Sequence, residues 1–242
     1  MNRRQFLSIG VAVAAGVVTA DSLTGLSGLS EIEPAAAWPR GCIDHLPKSE
    51  NRRMAWTVDD GASTHALRGY IDMLELHPEI RMTMFVLGGA SSWKKLARPI
   101  SELAATGQLQ LANHTMHHHD MTKLSRAHIK QELVLTSRFI EDHFGVDAGP
   151  YWRPPYGYID NHLIRVAHDL GYTKPVLWFG STASNAGVSS ATVWSNCKKW
   201  MTNGRIVIDH ANSDSTVANF GKIRGLLASR GLDTVTLNDV FG

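Results

Sequence analysis

Two histidines four residues apart are the first feature of this sequence that could do chemistry. His114 and His118 can face one point if their segment coils as a helical turn. Asp60 is the best further donor, because it follows an apolar run and precedes Gly61, which lets the backbone turn sharply beside an ion. Two imidazoles and one carboxylate with open coordination positions suit Zn²⁺, or another first-row divalent metal such as Co²⁺, Ni²⁺ or Mn²⁺.

Spacing alone leaves a structural alternative for each of these groups. His117 and His119 lie in the same stretch, so the pair can equally belong to an exposed histidine-rich loop, and D-D-G at 59–61 can be an ordinary turn. If the segment stays extended, Asp59 points away from Asp60 and remains free as a base while Asp60 binds the metal.

Short apolar runs alternate with amphipathic helical patterns from residue 53 onward. Strands are predicted at 54–58, 82–87, 109–112, 151–153, 175–179, 205–208 and 234–237. Helices are predicted at 67–76, 92–105, 125–143, 159–170, 192–201 and 217–229. This alternation indicates right-handed βαβ units, and therefore an α/β fold with a mainly parallel sheet, either open or closed into a barrel.

Ionisable side chains fall at the ends of four predicted strands. Asp59 and Asp60 follow the first strand and His114 follows the third, while Arg153 ends the fourth and His210 follows the sixth. In a barrel, catalytic groups lie where strands end and loops begin. Arg153 alone can be a surface ion-pair partner and His210 alone a strand-end histidine, but four such positions together indicate one active site.

Four short motifs in sequence order resemble those of the polysaccharide deacetylases, the carbohydrate esterases with a NodB-homology domain. T-V-D-D-G at 57–61 is similar to the family's T-F-D-D-G, and N-H-T-M-H-H at 113–118 to its N-H-[ST]-x-x-H. R-P-P-Y-G at 153–157 matches its R-x-P-[FY]-G, and I-D-H at 208–210 resembles its L-x-H. The resemblance covers residues 53–240 and implies a single-domain, distorted (β/α) barrel of the NodB-homology type.

The resemblance implies a role for each matching residue. The metal ligands would be Asp60, His114 and His118. Asp59 would be the general base, and Arg153 would pair with it and keep it ionised. The backbone N–H of Tyr156 would stabilise the tetrahedral oxyanion, and His210 would be the general acid that protonates the departing sugar amine.

One motif of the family has no counterpart here. The family usually carries a W-x-x-D-x-x-D-W-like segment, whereas W-F-G-S-T-A-S-N at 178–185 contains no carboxylate. In the family that Asp orients the catalytic histidine, so what orients His210 is left open. Asp209 would point away from His210 in an extended strand and is a poor substitute. Trp178 and Pro155 are candidate substrate-binding residues, although Trp178 can equally be a core residue.

The N-terminal segment has the layout of a twin-arginine secretion signal. Two adjacent arginines at 3–4 precede the apolar run 9–20, and small residues offer cleavage sites after residue 20 or, as we favour, after residue 37. An uncleaved N-terminal anchor is the alternative. We assign residues 1–37 to the signal peptide and leader, 38–52 to a lead-in segment and 53–242 to the catalytic domain.

Composition excludes several classes of protein. The net charge is +2, and the basic residues are scattered rather than grouped, which argues against nucleic-acid binding. Cys42 and Cys197 could form a disulfide in an exported chain, a question that depends on their distance. The absence of a C-x-x-C pair argues against a cysteine zinc site.

These features together predict an exported, metal-dependent hydrolase that removes N-acetyl groups from polysaccharide containing N-acetylglucosamine, either chitin oligosaccharides or peptidoglycan. We expect a monomer that passes through the twin-arginine machinery and is secreted, periplasmic or bound to the cell wall. One alternative keeps the metal site but acts on O-acetyl esters or another non-peptide amide. Another is a catalytically weak carbohydrate-binding protein, against which the intact Asp59, Arg153 and His210 argue.

Overall fold

A parallel sheet with helices packed on its outer side forms the framework of the protein. The computed structural model describes residues 39–242, and within this range the sheet has eight strands. These are β1 (Arg53–Asp60), β2 (Met82–Val86), β3 (Leu109–Asn113), β4 (Tyr151–Trp152), β5 (Lys174–Pro175), β6 (Gly180–Ser181), β7 (Ile206–His210) and β8 (Asp233–Thr234). The predicted signal peptide and leader, residues 1–37, lie outside the described residues.

Helices connect most successive strands, as βαβ units require, although β5 and β6 are joined without one and the last helix follows the last strand. They are α1 (Thr64–Leu76), α2 (Ser91–Lys95), α3 (Ala97–Ala105), α4 (Arg126–Phe144), α5 (Asn161–His168), α6 (Ser190–Trp200), α7 (Phe220–Arg230) and α8 (Asn238–Phe241). Serine or aspartate side chains cap several helix N-termini; Ser125, for example, accepts the backbone N–H of His128 at the start of α4. Among residues 39–242, no helix is both long enough and apolar enough to cross a membrane.

The sheet order is β5-β4-β3-β2-β1-β7-β6, and β8 pairs with the start of β1. All pairings between these strands are parallel. The lead-in contributes as well, because Ile43 forms a parallel bridge with Val176 and Leu46 is buried. Residues 41–242 form one compact unit.

Period-two alternation along the strands separates two apolar layers. Ala55 of β1, Phe85 of β2, Ala112 of β3 and Ile206 of β7 pack together in a cluster on the inner face of the curved sheet. Their sequence neighbours, among them Trp56, belong to a larger outer cluster with the helices. Side chains on one face recur every second residue. A residue two or four positions after one of these inner-face residues, near the carboxyl end of the strand, therefore also lies on the inner face.

The predicted strands and helices differ from the structure in three places. The single helix predicted at 92–105 is two helices that meet at Leu96, because Pro99 lacks a backbone N–H and fits only in the first turn of α3. The strand predicted at 175–179 is instead two short strands, β5 and β6, joined by residues 176–179. The strand predicted at 234–237 ends at Thr234, and α8 follows.

The two cysteines do not form a disulfide. No disulfide bond joins Cys42 to Cys197, and Cys197 is fully buried on α6. Burial, with the nearby charge of Asp209, raises the pKa of the Cys197 thiol well above its ordinary value. Cys197 therefore acts as a small apolar core residue.

The two leucines near the end of α1 provide a matched test of the outer core. Leu74 is 0% exposed and Leu76 is 72% exposed. We expect Leu74→Ala to lower the free energy of unfolding by about 2–5 kcal/mol, because it leaves a cavity. Leu76→Ala should change it by no more than about 0.5 kcal/mol. Chemical denaturation of both variants measures the difference, and equal effects would contradict this placement of α1.

Candidate active site

Three potential metal ligands converge at the carboxyl ends of β1 and β3. The ligand atoms of Asp60, His114 and His118 lie within 4.8 Å of one another. Asp60 Oδ1 is 3.2 Å from His114 Nε2 and 3.3 Å from His118 Nε2. This oxygen is buried and has no hydrogen-bond partner among the described residues. The donor set and the orphaned oxygen fit a first-row divalent cation.

The two histidines converge through a hydrogen-bonded loop, not through the helical turn that their spacing would also allow. Thr115 (φ 70°) and His118 (φ 59°) both adopt left-handed backbone conformations. The side chain of Asn113 accepts the backbone N–H of Thr115 at 2.9 Å, and Thr115 Oγ1 accepts the N–H of His118 at 3.2 Å. These local bonds replace helical bonds and explain the asparagine of the motif.

Asp60 is held by three neighbours that the sequence did not identify. It has φ 68°, and its carbonyl accepts the indole N–H of Trp93 at 2.7 Å, while Ser92 donates to the next carbonyl, that of Gly61. Asn212 Nδ2 donates to Asp60 Oδ2 at 2.6 Å, and its amide oxygen accepts the N–H of Ala62 at 3.0 Å. Asn212 thus leaves only Oδ1 of Asp60 for a cation.

Asp59 faces the same site as Asp60, contrary to the prediction that it would point elsewhere. Asp59 continues the inner-face alternation from Ala55, and the positive φ of Asp60 turns the second carboxylate back toward the first. Asp59 Oδ2 is 3.7 Å from His114 Nε2, and Asp59 Oδ1 accepts a 2.6 Å hydrogen bond from Arg153 Nη1. The two carboxylates are nevertheless held by different partners.

Arg153 is a fully buried cation, and each of its three guanidinium nitrogens donates a hydrogen bond. Nε and Nη2 donate to the carbonyls of Val176 and Leu177, each at 3.1 Å, and the guanidinium lies 4.1 Å from the Phe85 ring centroid. Burial lowers the pKa of Arg153, and the charge of Asp59 opposes this. With its ordinary pKa above 12, the group stays charged.

Electrostatics at the convergence point favour a cation. Burial alone would raise the pKa of Asp60, but the two imidazoles whose Nε2 atoms lie beside its Oδ1, those of His114 and His118, outweigh burial and hold that pKa well below its ordinary value. Burial tends to lower the pKa of His114, yet the neighbouring Asp59 and Asp60 raise it. His114 Nδ1 faces the carbonyl oxygen of Arg153 at 2.8 Å, which directs Nε2 to the ligand group.

The histidine-rich stretch divides into ligands and loop anchors. His117 is outside the ligand group, and its Nδ1 contacts Glu132 Oε1 at 2.7 Å. Glu132 Oε2 accepts the backbone N–H groups of Met116 at 3.0 Å and His117 at 2.8 Å. Glu132, a buried residue of α4 that sequence analysis missed, therefore anchors the loop that carries His118.

The remaining predicted site residues surround this centre. His210 ends β7 in register with Asp59, and its Nδ1 is buried with no hydrogen-bond partner in the described part of the chain. Tyr156 (φ 61°) is 42% exposed, and its ring lies 4.6 Å from the His118 ring. Pro155 is buried in a short 3₁₀ turn. The ring of Trp178 lies 5.6 Å from the Arg153 guanidinium, so it lines the site rather than the outer core.

Comparison with known sequences is consistent with this geometry. The family described as "Polysaccharide deacetylase" matches residues 47–175, more than half of the chain. A peptidoglycan-N-acetylglucosamine deacetylase of Listeria monocytogenes is 29% identical over 206 residues, which are 83% of this chain and 41% of that protein. Chitin deacetylase 1 of Cryptococcus neoformans is 34% identical over 139 residues, 56% of this chain and 27% of that protein. The chain thus spans about two fifths or less of these relatives.

Solved structures share the fold. The Bc1960 peptidoglycan N-acetylglucosamine deacetylase superposes with a TM-score of 0.73 at 24% identity, over 83% of this chain and 92% of that one. A family 4 carbohydrate esterase from Streptomyces lividans gives 0.66 at 24% identity, over 76% and 92%. A pseudoenzyme of the same family from Bacillus anthracis gives 0.72 at 18% identity, over 85% and 70%. The expected distorted (β/α) barrel is confirmed.

Asn212 offers a test of how the ligand Asp60 is held. We expect Asn212→Ala to weaken divalent-metal binding by about ten- to a hundredfold, because Asp60 Oδ2 loses the amide that orients it. Competition with a fluorescent chelator measures the affinity. Asn185→Ala, at an exposed position in a neighbouring loop, is the control and should bind as the unaltered protein does. Equal affinities for all three proteins would show that Asn212 has no part in metal binding.

Proposed function

The chain belongs to the polysaccharide deacetylase family, and on that basis we propose that it removes N-acetyl groups from polysaccharide containing N-acetylglucosamine. Relatives named as peptidoglycan and chitin deacetylases support this substrate class. One observation carries the proposal. The three potential metal ligands lie beside a second carboxylate, that of Asp59. This carboxylate is hydrogen-bonded to a different partner, the fully buried Arg153.

We propose Zn²⁺, or Co²⁺, Ni²⁺ or Mn²⁺, as the cation held by Asp60, His114 and His118. When bound, it supplies the Lewis acid that polarises the acetyl carbonyl. The orphaned Oδ1 of Asp60 and the two Nε2 atoms beside it support this assignment.

The protein's own groups then perform two proton transfers. Asp59 accepts a proton from the water that attacks the carbonyl carbon, while Arg153 holds its other oxygen in place. The backbone N–H of Tyr156 donates to the oxyanion of the tetrahedral intermediate. As the carbon–nitrogen bond breaks, His210 gives a proton to the leaving nitrogen. The products are acetate and a free sugar amine.

Export through the twin-arginine pathway, to the cell wall, periplasm or medium, is part of the proposal. Its support is the arginine pair and apolar run in residues 1–37, and a wall polysaccharide substrate would require it. We further propose that the protein acts as a monomer.

A second candidate substrate is an O-acetyl ester on a polysaccharide. The observation that favours it is the unpartnered Nδ1 of His210 within the described residues. An alcohol leaves more readily than an amine without protonation, so hydrolysis of an ester depends less on a well-positioned acid. One relative is a bifunctional xylanase/deacetylase of Pseudobutyrivibrio xylanivorans, 28% identical over 199 residues. Turnover of matched N-acetyl and O-acetyl oligosaccharides separates the two candidates.

We expect Asp59→Asn to lower the rate of acetate release from chitin oligosaccharides or peptidoglycan fragments by about 10²–10⁴-fold. The amide keeps the shape of the side chain but cannot accept the proton. Acetate and free amine are both measured with metal-loaded protein. Asp142→Asn, which alters an exposed carboxylate on α4, is the control and should leave the rate unchanged.

Two outcomes would contradict these proposals in different ways. Full activity of Asp59→Asn would remove Asp59 from the role of base while leaving the substrate assignment intact. No acetate release by the unaltered, metal-loaded protein from any of these substrates would refute the proposed activity and favour the carbohydrate-binding alternative.

A further inference from the structure

A second carboxylate, Asp209, is fully buried one residue before the proposed acid. Alternation along β7 places Asp209 on the outer face of the sheet, opposite His210, as the sequence predicted. The outer face is the apolar layer shared with α1 and α7. A carboxylate in such a layer is costly unless hydrogen bonds compensate it.

Five side chains from four segments of the chain donate to this carboxylate. Oδ2 accepts the indole N–H of Trp56 at 3.0 Å and the hydroxyl of Tyr70 at 2.6 Å. Oδ1 accepts the hydroxyls of Thr182 at 2.6 Å and Thr216 at 2.9 Å, and also that of Ser184. All five donors are neutral. The anion is thus held by hydrogen bonds that tie β1, α1 and two loops to β7.

Ser184 connects this network to the proposed acid. Its hydroxyl donates to Asp209 and accepts the backbone N–H of His210 at 2.8 Å. The loop is set for this contact, because the Thr182 N–H donates to the carbonyl of Ile208 at 3.0 Å and Ala183 has φ 58°. The hydroxyls on either side of Ala183 consequently both reach Asp209.

This loop lies in the segment that lacks the family's carboxylate, residues 178–185. The His210 ring accordingly has no carboxylate partner at Nδ1 among the described residues. We propose that Asp209 is a positioning residue. Its Oδ1 accepts the backbone N–H of His210 at 3.0 Å, and Ser184 bridges the same two groups, so that the backbone of His210 is fixed and its ring is aimed. Backbone anchoring would take the place of a direct contact with the ring. The inference rests on the proposed function insofar as His210 is the acid.

The chemistry of the donors explains why the residue is an aspartate. The indole N–H of Trp56 can only donate, so the atom that faces it must be an acceptor. An asparagine would place its NH₂ group either against that indole or against the three hydroxyls on Oδ1. In the second case the hydroxyl of Ser184 would lose the acceptor that orients it toward His210.

Two single-hydroxyl variants separate positioning from core stability. Ser184→Ala and Thr216→Ala each remove one donor to Asp209 Oδ1, but only Ser184 bonds to His210. With metal-loaded protein, we expect Ser184→Ala to lower kcat for acetate release by about tenfold with KM unchanged, because the acid is misplaced. Thr216→Ala should keep kcat within about twofold. Folded Asp209→Asn protein should show the same loss of kcat as Ser184→Ala.

A second measurement does not depend on activity. In protein with isotopically labelled histidine, the backbone amide and ring resonances of His210 should shift in Ser184→Ala and stay in place in Thr216→Ala. Unshifted His210 resonances in Ser184→Ala, or equal shifts in both variants, would overturn the proposal. If the unaltered protein releases no acetate, the proposed function fails, whereas the resonances still decide whether Asp209 and Ser184 position His210.

Discussion

The site depends on one buried cation at the end of β4. Arg153 is fully buried, donates to Asp59 on β1 and also to the carbonyls of Val176 and Leu177, in the segment between β5 and β6. Removing one partner of such a pair leaves an uncompensated buried charge, at a cost of about 3–5 kcal/mol. Its own carbonyl faces His114 Nδ1, so the same residue also orients a metal ligand. A change in the Arg153–Asp59 ion pair would therefore also change the orientation of the metal ligand His114.

Backbone strain is concentrated around this pair. In residues 39–242, the non-glycine residues with positive φ are Asp60, Thr115, His118, Tyr156 and Ala183. Four of them lie in the sequence motifs, and the fifth lies in the loop bonded to His210. Such conformations cost on the order of 1–3 kcal/mol each and persist only where neighbours hold them. Trp93 and Asn212 do this for Asp60, and Glu132 does it for the loop of His118. Packing and hydrogen bonds from the rest of the barrel thus stabilise the strained backbone at the carboxyl ends of the strands.

Much of the framework follows from local patterns. The alternation of strands and helices predicted the parallel α/β sheet. It can be read from the sequence because apolar residues recur every two positions in a strand and every 3.6 in a helix, a difference that is visible within a short segment. The break between α2 and α3 and the strand β6 were missed, and β5 and β8 were predicted too long, since β5, β6 and β8 have two residues each and their pairing depends on distant partners. Whether Cys42 and Cys197 form a disulfide was likewise a question of distance, and the structure has no such bond between them.

The sequence by itself predicted which ionisable side chains would meet, since Asp59, Asp60, His114, Arg153 and His210 lie at or directly after the carboxyl ends of strands in a parallel sheet. Only the tertiary structure decided their directions. Asp59 and Asp60 share one site because φ at Asp60 is positive, which no extended-strand rule anticipates. Asn212 and Trp56 contact carboxylates about 150 positions away in the chain, at Asp60 and Asp209. Residue spacing carries no information on such contacts, because they arise from how the strands curve and which loops close over their ends.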